Sequence, residues 1–130
     1  MENNQEPKKM PVILVGEDDR FIANVYKTKL VKEGYQVEHG NNGKEVLRLA
    51  REKKPDLILL DLIMPEEDGF ETLAELKTDP ELKNIKVVVL SNLSQDEDKK
   101  KVLKLGAEEY VVKANVSFKE VIKIMEKYLA

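Results

Sequence analysis

Residues 57–61 read Leu-Ile-Leu-Leu-Asp. Four apolar residues without alternation, too few for a helix, describe a strand covered on both faces. Such a strand belongs inside a parallel sheet with helices on either side, and its terminal carboxylate stands at the sheet's C-terminal edge. Two further runs share this character, Val12-Ile13-Leu14-Val15 and Val87-Val88-Val89-Leu90. Residues 35–39 (Tyr-Gln-Val-Glu-His) alternate apolar and polar, and Tyr110-Val111-Val112 is short, so these two suit the edges. Amphipathic stretches lie between the runs. Phe21, Ile22, Val25, Tyr26 and Leu30 form one apolar face, and Val46, Leu47 and Ala50 a second. Phe70, Leu73, Ala74 and Leu76 form a third, which stops at Asp79-Pro80, while Met64 and Phe70 read as core. Ser94-Gln95-Asp96-Glu97 and Ser117-Phe118-Lys119-Glu120 fit capping boxes that open two later helices. The first of these has only Val102, Leu103 and Leu105 to anchor it, which predicts soft docking.

Strand and helix alternate five times, which predicts an α/β chain with a doubly wound (βα)5, flavodoxin-like fold. Its sheet is expected to be five-stranded and parallel, in the order 2-1-3-4-5. The ligand crevice then opens at the C-terminal ends of the first and third strands, where the winding reverses. The 130 residues, 42% hydrophobic and 36% charged, are enough for one core and leave little room for a second. Residues 1–10 carry no periodicity and read as a flexible arm before a domain spanning 11–130. The absence of cysteine excludes a disulfide frame, a thiolate metal site and a cysteine nucleophile. The single histidine, His39, lies on an expected edge strand without an evident acid or base partner and reads as a surface residue. A net charge of -3 argues against a nucleic-acid surface held by bulk charge. No apolar run approaches the roughly 20 residues of a membrane span, and residues 1–9 lack the apolar core of a signal peptide. A cytoplasmic location is expected.

The acids gather at the crevice. The first strand runs into Glu17-Asp18-Asp19, and the third ends at Asp61. Carboxylates this close raise one another's pKa values unless a cation neutralises them. Magnesium suits best, because it takes one or two carboxylates and completes its shell with water and phosphate. Calcium is disfavoured, since no loop of about twelve residues with spaced acids is present. The plainer reading of residues 17–19 is a helix cap and first turn, and Asp61 at the end of an apolar strand weighs against it. Ser91 closes the fourth strand and Lys113 the fifth, so both reach the same edge. A hydroxyl, an ammonium and a metal ion around one carboxylate neutralise a phosphoryl group on every side.

These residues resemble the receiver domains of two-component response regulators of the single-domain, chemotaxis type. The resemblance rests on Ile13-Leu14-Val15-Gly16-Glu17-Asp18-Asp19, on residues 56–65 with Asp68-Gly69-Phe70, on Val89-Leu90-Ser91 and on residues 106–113. It spans residues 11–130. It implies that Asp61 accepts a phosphoryl group from the phosphohistidine of a sensor histidine kinase or phosphotransfer protein, in a magnesium-dependent reaction. Asp18 would ligate the metal directly and Glu17 through water, with Asp61 and the backbone carbonyl of Ile63 completing the set. Ser91 is the implied switch hydroxyl, Lys113 the partner of a phosphoryl oxygen or of unmodified Asp61, and Tyr110 the aromatic switch that turns inward. Gly69 fits a turn that lets the loop beyond Asp61 approach the site. The implied chain is a signalling switch that catalyses only its own phosphorylation and dephosphorylation. It would act on a downstream protein through the fourth helix, fifth strand and fifth helix. It is expected as a monomer or a phosphorylation-linked dimer, without direct binding to nucleic acid or membrane.

Three departures from the family pattern stand out. Ala114 follows Lys113 where the family usually has proline, so a trans bond is expected. Asn92 replaces a very small residue beside the switch hydroxyl, and Ile63 and Leu93 are apolar where relatives use polar side chains to orient hydrolytic water. Slow loss of phosphate follows as an expectation. Other functions fit less well. A magnesium-dependent phosphatase with Asp61 as nucleophile needs an acid two residues on, where Ile63 stands. A flavin site needs a phosphate cradle that residues 17–19 would repel. A degenerate receiver that only binds a partner does not need the intact acid, hydroxyl and lysine set.

Overall fold

The computed structural model describes residues 10–64, 67–93 and 95–129. Apart from Met10, the expected N-terminal arm lies outside them. The apolar runs form β1 (Val12–Gly16), β2 (Gln36–Gly40), β3 (Leu57–Leu60), β4 (Lys86–Ser91) and β5 (Glu109–Val112). All neighbouring pairs are parallel, and the order across the sheet is 2-1-3-4-5. The strands alternate with α1 (Arg20–Lys32), α2 (Gly43–Lys53), α3 (Gly69–Thr78), α4 (Asp96–Leu105) and α5 (Phe118–Leu129). Every residue of β3 is buried, as its unbroken apolar run requires, whereas β2 at the edge is mostly half-buried. A two-residue antiparallel ribbon, Ile63–Met64 against Glu67–Asp68, follows β3 and had no signal in the sequence.

Alternation along the strands divides the core into two layers. Ile13, Val15, Leu59 and Leu90 face Leu30 of α1 and Val121, Ile122 and Met125 of α5. Leu14, Ile58, Leu60 and Val89 face Val46 of α2, Leu73 and Leu76 of α3, and Val102 of α4. Met64 joins the second layer and Phe70 packs at its margin, with the Lys101 ammonium 4.3 Å from the Phe70 ring centre.

Local polar groups set the helix ends. Asp19 caps α1 by accepting the amides of Phe21 and Ile22, and Asp68 caps α3 by accepting that of Phe70. Before α5 the box is reciprocal: the Glu120 amide donates to Ser117 Oγ (3.2 Å) and the Ser117 amide to Glu120 Oε1 (2.8 Å). The Ser94 end of the other expected box lies outside the described residues, and Gln95 caps α4 without a side-chain bond.

Two helix faces differ from expectation. On α1 the buried stripe is Ala23 and Leu30 with Ile22 and Tyr26 beside them, and Phe21 is 75% exposed with Val25 also outside. At 100° per residue Phe21 and Val25 sit away from that stripe, so apolar composition there overstated the face. On α4 only Val102 is fully buried, Leu105 is half-buried, and Leu103 is 43% exposed, which leaves the anchor thinner than expected.

Polar staples hold the far end of the sheet. Lys77 of α3 donates to the carbonyls of Ile85 (2.9 Å) and Lys83 (3.3 Å) and pairs with Glu108 at 3.3 Å. Glu108 accepts the Val87 amide at 2.7 Å. Gly106 ends α4 in the left-handed region (φ +113°) over the Lys77 stem.

Candidate functional site

Parallel register brings the C-terminal ends of β1, β3, β4 and β5 to one edge, each followed at once by a polar residue. Past β1 and β3 the ladder continues: the Asp61 amide donates to the Gly16 carbonyl and the Glu17 amide to the Gly40 carbonyl, both at 3.0 Å. The acidic run then splits. Asp19 is the α1 cap, which is the plainer reading made true for one residue of three. Glu17, Asp18 and Asp61 each offer a carboxylate oxygen, and these oxygens lie within 4.8 Å of one another.

The Asp61 carboxylate is held on both oxygens. Oδ1 accepts Ser91 Oγ–H at 2.9 Å and the Ile63 amide at 3.0 Å, while Oδ2 accepts Lys113 Nζ–H at 2.9 Å. Lys113 also donates to Glu17 Oε1 at 2.6 Å. Glu17 is only 4% exposed, and burial pushes its carboxyl up; Lys113 offsets part of this, and the Asp61 charge adds to it. Burial alone would pull the Lys113 ammonium down, but its bonds to Glu17 and Asp61 outweigh that and hold it above its ordinary value. One ammonium thus serves two buried carboxylates, with Asp18 a third acid at the rim.

Glycines let the backbone close in. A Cβ at Gly16 would come within 3.0 Å of Leu60 and Val46 side chains, and one at Gly69 would overlap the Leu62 backbone. The loop that follows Asp61 therefore packs directly on the start of α3.

Tyr110, on β5, is buried within the second core layer, and its hydroxyl has no hydrogen-bond partner among the described residues. Burial raises its phenol pKa, with the Asp98 and Asp61 charges adding to the effect. No peptide bond among the described residues is cis, so Lys113–Ala114 is trans as expected. The Ala114 amide donates to Asn92 Oδ1 at 2.9 Å.

His39 departs from its reading as an unpartnered surface residue. Its Nε2 donates to the Glu17 carbonyl at 2.6 Å and the ring is half-buried. The β1–β2 register, with Val15 opposite His39, carries the imidazole past the end of β1 to that carbonyl. Sequence reading also passed over Tyr26, whose ring stands beside Glu17, Asp61 and Lys113.

The family model described as response regulator receiver domain matches residues 13–126. The chain belongs to that family. Among curated relatives, the receiver is 32% identical over 117 residues to the polar-differentiation response regulator DivK of Brucella anthropi, covering 90% of this chain and 94% of that protein. Among solved structures it resembles the receiver domain of the Francisella response regulator 1452 (34% identity, TM-score 0.84, covering 92% of this chain and 96% of that one). It also resembles the chemotaxis protein CheY4 of Vibrio cholerae (26% identity, TM-score 0.85, covering 92% and 99%). The receiver is thus a signalling module of two-component systems, and no helix among its described residues is long and apolar enough to cross a membrane.

Proposed function

We propose that this receiver, spanning residues 11–130, takes a phosphoryl group from a phosphohistidine onto Asp61, with magnesium held by Glu17, Asp18, Asp61 and the Ile63 carbonyl. The observation that carries the reading is the convergence of one hydroxyl, one ammonium and one amide on Asp61, beside two further acids. The donor set fits the metal: three hard oxygen ligands lie within 4.8 Å of one another and the one ammonium beside them pairs with only two, a deficit of positive charge that a divalent ion removes. When bound, the ion neutralises charge on the entering phosphoryl oxygens.

The chain's own groups do the rest. An Asp61 oxygen attacks phosphorus as the phosphorus–nitrogen bond breaks, and the electron pair of that bond leaves on the imidazole nitrogen. Lys113 pairs with the Asp61 carboxylate beforehand and then meets a phosphoryl oxygen. Ser91 transfers its hydrogen bond from Oδ1 to another phosphoryl oxygen. Positioning and charge neutralisation are the whole task, since the transition state asks little covalent work of the protein. The shift of Ser91 alters the packing above Tyr110, and the equilibrium between two placements of α4 and β5 moves with it. The chain catalyses only these steps on itself.

The phosphodonor is a sensor histidine kinase or a phosphotransfer protein in the cytoplasm. The output is a protein that reads the face made by α4, β5 and α5, with the receiver a monomer or a dimer formed on phosphorylation. Direct nucleic-acid or membrane binding is not expected. Incubation with acetyl phosphate and magnesium tests the reading: intact mass rises by one phosphoryl group in wild type and not in Asp61→Asn. A gain retained by Asp61→Asn would sink it.

A further inference from the structure

Tyr26 sits on α1 with its ring against Phe118 of α5, the two centres 5.8 Å apart. It also lines a small, mostly apolar recess of about 10 Å³, open to solvent, together with Glu17, Asp61 and Lys113. Val15, Leu59 and Leu90 form the apolar remainder of that wall. The volume matches a single water, and a polar site of this size holds one when two or more partners face it.

Lys113 has three N–H donors and is largely buried, with 14% of its side chain exposed. Two donors go to Glu17 and Asp61. The third finds no acceptor within hydrogen-bond distance among the described residues, and a buried ammonium donor left bare is costly. Among the described residues the Tyr26 hydroxyl makes no hydrogen bond, and it is not sealed from solvent. The phenol also lies within the electric field of all three charged neighbours: burial raises its pKa, Lys113 opposes this, and Glu17 and Asp61 add to it.

We propose that the Tyr26 hydroxyl, through one water held in this recess, accepts the third N–H of Lys113 and so fixes the ammonium between Glu17 and Asp61. Tyr26 is a positioning residue acting through Lys113, and this role rests on the phosphoacceptor reading of the site only for its consequence in phosphoryl transfer. Phe118 seats the ring, so the N-terminus of α5 is part of the same support.

Tyr26→Phe keeps the ring and removes the hydroxyl. In 15N-labelled protein without metal or phosphodonor, the Lys113 ammonium should exchange its protons at least about threefold faster than in wild type. With acetyl phosphate and magnesium, the maximal phosphorylation rate should fall by about three- to tenfold while the half-saturating donor concentration stays unchanged. Melting within about 2 °C of wild type shows that the fold is kept. Phe118→Leu loosens the seat but keeps the hydroxyl and should change both readouts less. Unchanged ammonium exchange in Tyr26→Phe, or an equal effect of Phe118→Leu, overturns the proposal. If wild type itself takes no phosphoryl group, the phosphoacceptor reading fails, and the ammonium exchange still decides the role of Tyr26.

Discussion

Asn92 accepts the backbone N–H of Ala114 at 2.9 Å, tying the loop after β4 to the loop after β5 across the top of the site. Proline at position 114 would bring no N–H. The two departures from the family pattern, an amide side chain at 92 and a non-proline at 114, therefore answer one another. The bond joins the neighbours of Ser91 and Lys113, the two groups that hold Asp61 from either oxygen.

A double-mutant cycle measures that tie. Asn92→Ala and Ala114→Pro should each remove the same bond, with an interaction energy of about 0.5–1 kcal/mol in urea denaturation. Strictly additive effects would mean that the bond contributes nothing in solution.

Removing an acid should stabilise the metal-free protein. Lys113 pairs with Glu17 and Asp61, while Asp18, the third acid of the cluster, makes no ion pair among the described residues. Asp18→Asn in chelator is expected to gain on the order of 1 kcal/mol, after solvent screening at this rim position. Magnesium should then raise the wild-type melting temperature more than that of the variant. A variant that melts lower in chelator contradicts the charge argument.

Phosphate loss should respond to position 63. Ile63 is 51% exposed at the rim, and its amide already bonds Asp61. A polar side chain there can orient water, so Ile63→Asn should lose radiolabelled phosphate roughly three- to tenfold faster than wild type. Equal decay of the two proteins removes the apolar rim as the cause of slow turnover.

The Lys77 staple should carry much of the stability of the opposite end. Lys77→Met leaves the Ile85 carbonyl and Glu108 without their ammonium, and a cost of about 2–3 kcal/mol is expected because the lysine is almost fully buried. Denaturant midpoints at unchanged m value would show it; a loss under about 0.5 kcal/mol would make the staple incidental.

Tyr128 sets an alkaline signature. Its hydroxyl donates to Glu109 Oε1 at 2.7 Å, and that bond, with burial, pushes the phenol up to about 12. The folded value lies above the ordinary 10, so the stabilisation is complete below pH 10 and is lost as pH rises through about 12. Burial alone would raise Glu109, but bonds from Tyr128 and Lys127 outweigh it and hold its carboxyl below the ordinary 4.5, so that contribution is lost as pH falls below this value. The stability gap between wild type and Tyr128→Phe, about 0.5–1.5 kcal/mol near neutrality, should close above pH 10. A gap unchanged to pH 12 would contradict the assignment.

The frame was legible because strand burial writes itself into composition. β1, β3 and β4 each carry an unbroken apolar run and are central, while β2 alternates and lies at an edge, which with the doubly wound pattern orders the sheet. The gathering of Glu17, Asp61, Ser91 and Lys113 followed from where each strand stops. What stayed hidden depends on side chains meeting across elements. His39 reaches the Glu17 carbonyl only through parallel register, and Tyr26 meets the charges only because α1 leans on α5. Lys77 reads as a solvated helix charge until Glu108 is brought beneath it. Phe21 and Val25 show the converse error, apolar residues on a face that none of the described residues covers.

The attachment of α4 is lopsided. Val102, Leu105 and the Gly106 turn over Lys77 all lie in its last half, and its first turn carries Asp96, Glu97 and Asp98 with no side-chain cap among the described residues. Any tilt therefore pivots about the tail like an oar in a rowlock, with the largest sweep at the blade. A spectroscopic label at Glu97 would travel much farther than one at Lys104, so the front of this helix is the place from which to read the molecule's state.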